Sequence, residues 1–188
     1  MPNRTIYSFL LIGFVLLIDQ GLKIWVKLNL NLGESFDVFG FDWFQIYFIE
    51  NKGMAFGMEL GIRYGKLILS LFRILAVIGI GLALFRFVSK KASYLVLTSI
   101  ALIFAGALGN IIDSAFYGLF FSHSSGLQTA SITSFGQGYA SFLQGNVVDM
   151  FYFPLIDTEF PTWVPYIGGT SFKFFQAIFN IADAAICI

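Results

Sequence analysis

The chain has 188 residues, 57% of them hydrophobic and only 12% charged, with eleven basic and eleven acidic side chains and a mean hydropathy of +0.80. A soluble domain carries about twice that charged fraction, so the composition excludes an ordinary water-soluble globule. Zero net charge gives no electrostatic case for nucleic acid, and the single cysteine, Cys187, excludes an internal disulfide or a cysteine-based metal cluster.

Spanning a bilayer takes about 20 apolar residues. Four segments read as membrane helices, and together they predict an all-α integral membrane protein forming a single membrane domain over 1–188. The first spans about 6–26; it lacks a small-x-small cleavage site and carries Asp19 and Lys23 near its far end, so it reads as a retained helix and not a signal peptide. Outer loop 28–66 follows. Within it, 36–49 (FDVFGFDWFQIYFI) is rich in aromatic and β-branched residues and broken by a glycine, which predicts a small extracytoplasmic hairpin or sheet. The second helix is expected at 67–88 and the third at 94–113. Outer loop 114–171 contains a Ser-, Gly- and Gln-rich stretch, 122–146, that reads as a flexible insert. The fourth helix is expected at 172–188; it is short for a span, and a further C-terminal tail is expected. Arg86, Lys90 and Lys91 lie between helices two and three, whereas 119–172 contains no Lys or Arg. The positive-inside rule then puts both chain ends in the cytoplasm and both long loops on the other side.

Charged groups at mid-bilayer cost at least ~2.5–3.5 kcal/mol, so those in the spans are functional candidates. Asp19 and Lys23 are spaced i,i+4 and can pair, which explains both without chemistry. Arg73, a third of the way into helix two, is expected to snorkel or to bond loop carbonyls. Asn110 and Asp113 sit beside Ala105, Gly106, Ala107 and Gly109, small residues that permit close helix approach, and read as polar glue. Asp149, in the apolar run VVDMFYF, and Asp183, expected two to three turns into helix four with Asn180 one turn before it, form the sharper pair. Two carboxylates meeting in apolar surroundings share a proton at neutral pH, one serving as base on a water and the other as acid. Spacing alone leaves proteolysis, proton relay and ion binding open.

Five sequence blocks narrow that choice: LIDQGLKIWV (17–26), ENKGMAFGM (50–58), GALGNIID (106–113), VVDMF (147–151) and FNIADAAI (179–186). In content and order the chain resembles the lipoprotein signal peptidase (signal peptidase II) family. The resemblance implies a catalytic dyad at Asp149 and Asp183. It implies a groove-shaping loop with Asn51, Gly53, Ala55 and Phe56, and supporting roles for Asp19, Lys23, Asn110, Asp113 and Asn180. It further implies an intramembrane aspartyl endopeptidase of the bacterial inner membrane, with its active site toward the extracytoplasmic side. The expected substrates are diacylglyceryl-modified prolipoproteins, cut on the N-terminal side of the lipidated cysteine. No cofactor or metal is implied; His123 is the only histidine. Membrane lipid is the other expected partner, and the expected state is monomeric. Trp43, Phe44, Tyr47 and Phe48 are expected to lie at the interface and clamp the peptide. One departure stands out, since the family usually places Arg after the GNxxD block and this chain has Ser114. A proton-coupled transporter is a rival, weakened by the lack of an inverted repeat; a non-catalytic scaffold for lipoprotein precursors is another.

Overall fold

A computed structural model describes residues 3–52 and 65–188. Helix α1 spans Arg4–Asn29, capped by the Asn3 side chain accepting from the Thr5 amide. Its buried residues Ser8, Ile12, Val15, Asp19, Lys23 and Val26 recur every three or four positions, which is one helix face. Phe9, Leu10, Phe14 and Leu17 stay exposed on the opposite side, as a lipid-facing surface would. Helix α2 spans Gly65–Ser89, and α3 spans Tyr94–Ile112 behind the N-cap Ser93. Beyond α3 the backbone widens into a π-helical segment, Asp113–Tyr117, and closes with the single turn α4, Gly118–Phe120. These are three helices long and apolar enough to cross a membrane: 4–29, 65–89 and 94–120.

The aromatic stretch after α1 forms the expected hairpin. Strands β1 (Ser35–Val38) and β2 (Phe41–Asn51) pair antiparallel, with Val38 opposite Phe41 across a two-residue turn. Phe39 and Gly40 both take positive φ there, the geometry a type I′ turn requires. The sheet is larger than a hairpin, because β3 (Val147–Tyr152) and β6 (Ile178–Phe179) add to it in the order β1-β2-β3-β6. A separate hairpin, β4 (Ile156–Glu159) with β5 (Ser171–Phe174), projects between β3 and β6 in sequence.

Two regions differ from the sequence expectation. Residues 171–179, predicted as the start of a helix at 172, form two short strands joined at 175–177; helix α5 runs only Ile181–Cys187. Phe-rich runs suit strands as well as helices, and here pairing of β5 with β4 and of β6 with β3 captures the segment. The insert 122–146 is tied down rather than loose. Ser124 and Leu143 are buried, Tyr139 donates from its amide to Phe121 O at 3.0 Å, and Gly145 donates to Ser114 O at 2.8 Å. Gly145 fits because its backbone passes so near α3 that a Cβ would lie 2.4 Å from Asp113 O. A core of Val26, Leu30, Ile46, Phe48, Tyr117, Phe121, Val148 and Met150 seats the sheet on the C-terminal end of α1 and on the segment that follows α3. Phe48 is fully buried in it and faces no interface, unlike Trp43, which is exposed.

Candidate active site

Four elements deliver polar side chains to one buried cluster. Helix α1 supplies Asp19, Gln20 and Lys23; α3 with its π extension supplies Asn110 and Asp113; β3 supplies Asp149; and the start of α5 supplies Asn180 and Asp183. The Lys23 ammonium sits at the centre. It contacts Asp19 Oδ2 at 2.9 Å and Asp113 Oδ2 at 2.8 Å, and donates to Asn110 Oδ1 at 2.9 Å. Those three partners use its three protons. Asp19, Lys23 and Asp113 have no solvent exposure. Breaking such a buried group by removing one partner leaves an uncompensated charge, a cost of about 3–5 kcal/mol.

The remaining bonds lock the backbone. Asp19 Oδ1 accepts from the Ala182 amide at 2.9 Å, holding the first turn of α5 to α1. Asp113 Oδ2 accepts from the Val148 amide at 3.3 Å, holding β3 against α3. Gln20 donates to Asp113 Oδ1 at 2.8 Å and accepts from the Tyr117 hydroxyl at 3.1 Å. Ser114 turns back on its own helix and donates to Asn110 O at 3.0 Å. Close approach of α5 needs Gly106, where a Cβ would lie 2.2 Å from Ala182 O, and the fit of Asp19 from α1 needs Gly109, where a Cβ would lie 2.8 Å from Asp19 Oδ2.

Asn180 joins the two outlying carboxylates. It is the N-cap of α5, and with Asp183 it forms a capping box: Asp183 N donates to Asn180 Oδ1 at 2.8 Å, and Asn180 N donates to Asp183 Oδ2 at 3.3 Å. Asn180 is therefore a cap and not a residue inside the helix one turn before Asp183, and Asp183 lies in the first turn of α5 and not two to three turns in. The Asn180 amide group also donates to Asp149 Oδ1 at 2.7 Å and to Val148 O at 3.2 Å. Asp183 Oδ1 accepts from Asn110 Nδ2 at 2.8 Å, and Asp149 Oδ2 accepts from Asn51 Nδ2 at 3.3 Å. Asn51 reaches it diagonally, since Ile49, two residues earlier on the same face of β2, is the partner of Asp149 across the strands. Burial and the neighbouring Asp183 carboxylate push Asp149 up to about 7, against the pull of Asn51, Lys23 and Asn180. A carboxyl that titrates near neutrality beside a second carboxylate has the electrostatics of a proton-sharing pair.

A family model for signal peptidase (SPase) II, Peptidase_A8, matches residues 11–188. The chain belongs to the signal peptidase II family. It is 51% identical over 189 residues to the lipoprotein signal peptidase of Porphyromonas gingivalis, covering 100% of this chain and 80% of that one. It is 34% identical over 183 residues to the lipoprotein signal peptidase of Amoebophilus asiaticus, covering 96% of this chain and 72% of that one. It also resembles a solved bacterial membrane enzyme determined by the in meso method at 1.9 Å resolution, with a TM-score of 0.58 and 28% identity over 96% of this chain and 85% of that one. As a signal peptidase II it is a peptidase, and its membrane-length helices mark a protein of the bacterial inner membrane.

Gly53, Ala55 and Phe56, expected from the signal peptidase II resemblance to shape a groove, lie outside the described residues. Sequence reasoning missed Gln20, although a glutamine inside a membrane helix next to Asp19 is itself a signal. It also missed a second buried polar group. Lys27 pairs with Glu50 and donates to Ser124 Oγ at 2.9 Å; Asn146 Nδ2 donates to Glu50 Oε2 at 2.7 Å, and Lys66 donates to Asn146 Oδ1 at 2.6 Å. Burial opposes ionisation of Glu50, but the Lys27 charge and bonds from Asn146, Lys27 and Ser124 outweigh it and hold the carboxyl below its usual range. This group fastens the insert to α1, β2 and α2.

Proposed function

We propose that the chain is an intramembrane aspartyl endopeptidase that removes signal peptides from diacylglyceryl-modified prolipoproteins, cleaving on the N-terminal side of the lipidated cysteine. Asp149 and Asp183 form the dyad. The observation that carries this reading is Asn180, whose side chain holds Asp149 while its backbone amide holds Asp183. With one proton between them, the ionised carboxylate takes a proton from water as it attacks the scissile carbonyl. The protonated carboxyl donates its proton to the developing oxyanion; as the resulting gem-diol collapses, the proton taken from water passes to the leaving amine and the gem-diol returns a proton to the pair, which is again singly protonated. Asn51 orients Asp149, and Asn110 orients Asp183. Lys23, Asp19 and Asp113 fix the elements that carry them.

The signal peptide and the diacylglyceryl group both partition into the bilayer, so a substrate enters sideways between helices. The basic α2–α3 connection, with Arg86, Lys90 and Lys91, supports a cytoplasmic placement of that turn. The sheet and dyad then face the extracytoplasmic side and the N-terminal end of α1 lies in the cytoplasm, in a single, monomeric membrane domain. The exposed ring of Trp43, stacked on Phe41, and the face-to-face pair Phe44 and Phe153, 4.8 Å apart, supply a surface that suits the headgroup region.

The test is cleavage of a lipidated prolipoprotein in detergent or proteoliposomes by Asp149→Asn and Asp183→Asn. Each change abolishes turnover while leaving a folded, membrane-inserted protein. Near-normal turnover by either variant removes that residue from the mechanism.

A further inference from the structure

The end of the helix bundle away from the sheet carries a cleft of its own. Helices α1 and α2 both pack on α3 and leave an apolar gap between them. Phe9 and Ile12 line it from α1, Gly81, Leu84 and Val88 from α2, and Phe104 from α3. Its volume is about 180 Å³, and almost every lining atom is carbon. An apolar cavity of about 150 Å³ takes up one benzene ring, so this cleft accepts a stretch of hydrocarbon chain and is too small for a further helix, about 10 Å across. Helix α5 lies elsewhere: Ala182 O packs on Gly106, which is two residues, about 200°, round α3 from Phe104.

The rim of the cleft is cationic. Arg4 precedes Thr5, an exposed residue at the mouth, and its Nε donates to Ala92 O at 3.1 Å. That bond brings the start of α1 to the connection between α2 and α3, where Lys90 and Lys91 are exposed just beyond Val88. Segments 1–18 and 74–112 contain no Asp or Glu to offset these charges. Arg86 is different, because it stands two residues from both Leu84 and Val88, about 200° round α2, and so points away from the cleft.

We propose that this cleft binds one anionic phospholipid, with an acyl chain between α1 and α2 and its phosphate beside Arg4, Lys90 and Lys91. A basic pocket between membrane helices suits an anionic headgroup, and each Lys or Arg beside it contributes roughly fivefold in affinity. The same charges repel the basic N-terminal region of a signal peptide, the other apolar occupant this membrane offers. The site belongs to the leaflet opposite the sheet, since Ile12 lies seven residues, about 10 Å, along α1 from Asp19. It stands apart from the dyad reading and does not depend on it.

The experiment is native mass spectrometry on the full chain, purified in detergent, stripped of lipid and offered equal amounts of dioleoylphosphatidylglycerol and dioleoylphosphatidylcholine. The chain should retain one phosphatidylglycerol in preference to phosphatidylcholine. Lys90→Gln combined with Lys91→Gln should lower that preference by roughly 25-fold, whereas Arg86→Gln should leave it unchanged. Gly81→Leu should lose both lipids; its Cβ presses at 3.0 Å on the tip of the Phe104 ring, which can turn, so the side chain fills the cleft without moving backbone. Thr5→Trp blocks the mouth from an exposed position and serves if Gly81→Leu fails to fold, judged by its thermal transition. Equal retention of the two lipids, retention by whichever blocked variant folds, or an equal loss in Arg86→Gln overturns the proposal. Displacement of the bound lipid by a synthetic basic signal peptide also overturns it, and assigns the cleft to substrate.

Discussion

Gly106 offers the sharpest test of how the dyad is held. A Cβ built on it would lie 2.2 Å from Ala182 O and 2.8 Å from Ile186 Cγ1, whereas ordinary contact begins at 3.4 Å. The first neighbour is helix backbone, which cannot swing aside as a side chain can. In Gly106→Ala, α3 and α5 must therefore separate locally by roughly 1.2 Å to restore normal contact. Asp183 is the next residue after Ala182, and its bond to Asn110 Nδ2 is 2.8 Å long. Opening by that amount stretches it to about 4 Å, beyond hydrogen-bonding range. A misplacement of roughly 1 Å at reacting groups costs on the order of 10²-fold in rate. The assay is steady-state cleavage of a lipidated prolipoprotein at saturating substrate, reported as kcat, with Gly79→Ala as the control. A Cβ on Gly79 meets nothing within 4 Å, so that variant keeps its rate. If Gly106→Ala cleaves within about threefold of the unmodified protein at unchanged KM, the argument that α5 packing sets the dyad geometry is refuted.

Three further outcomes follow from the same geometry. Because burial and Asp183 raise the proton affinity of Asp149 to about 7, its contribution to stability is full below the usual carboxylate range and is lost as pH rises through about 7. The thermal transition in detergent should fall between about pH 5 and pH 8, and Asp149→Asn should flatten that slope; an equal slope in the variant refutes the assignment. Lys23→Met strands Asp19 and Asp113 beside each other with no solvent, so it should cost about 3–5 kcal/mol and lower the transition sharply, while Lys23→Met combined with Asp19→Asn and Asp113→Asn recovers part of the loss. Glu50→Gln leaves the buried Lys27 uncompensated, and limited proteolysis within 122–146 should speed up; an unchanged cleavage rate would mean that Glu50 does not fasten the insert.

Much of this arrangement is legible in the sequence where a local rule governs it. The i,i+4 spacing of Asp19 and Lys23 gives the pair seen at 2.9 Å, and the small residues of GALGN give the close α3–α5 contact. The hairpin at 35–51 follows from its aromatic strands and Gly40. The start of α5 was open to the same kind of reasoning. Asn180 followed three residues later by Asp183 is a capping-box signature, and it argues for a helix beginning at 181 in place of 172. An apolar run such as FKFFQAIF carries no period that separates strand from helix, and pairing of its first part with β4 and of its end with β3 decides it. The insert misleads for a related reason. Its Ser, Gly and Gln content reads as solvated loop, yet Ser124 and Asn146 bond to Glu50 across 74 and 96 positions, and no local pattern reports a partner at that distance.

The bond from the Ala182 amide to Asp19 spans 163 positions and ties the first helix to the last. Synthesis proceeds from the N-terminus, so the membrane receives α1 with its charges long before α5 is made. During that interval the nascent chain holds one acid of the pair and not the other, and it has no means of cutting the precursors around it. On the dyad reading, proteolytic competence cannot precede the synthesis of residue 183, and any fragment ending before it should be inert even when it inserts normally.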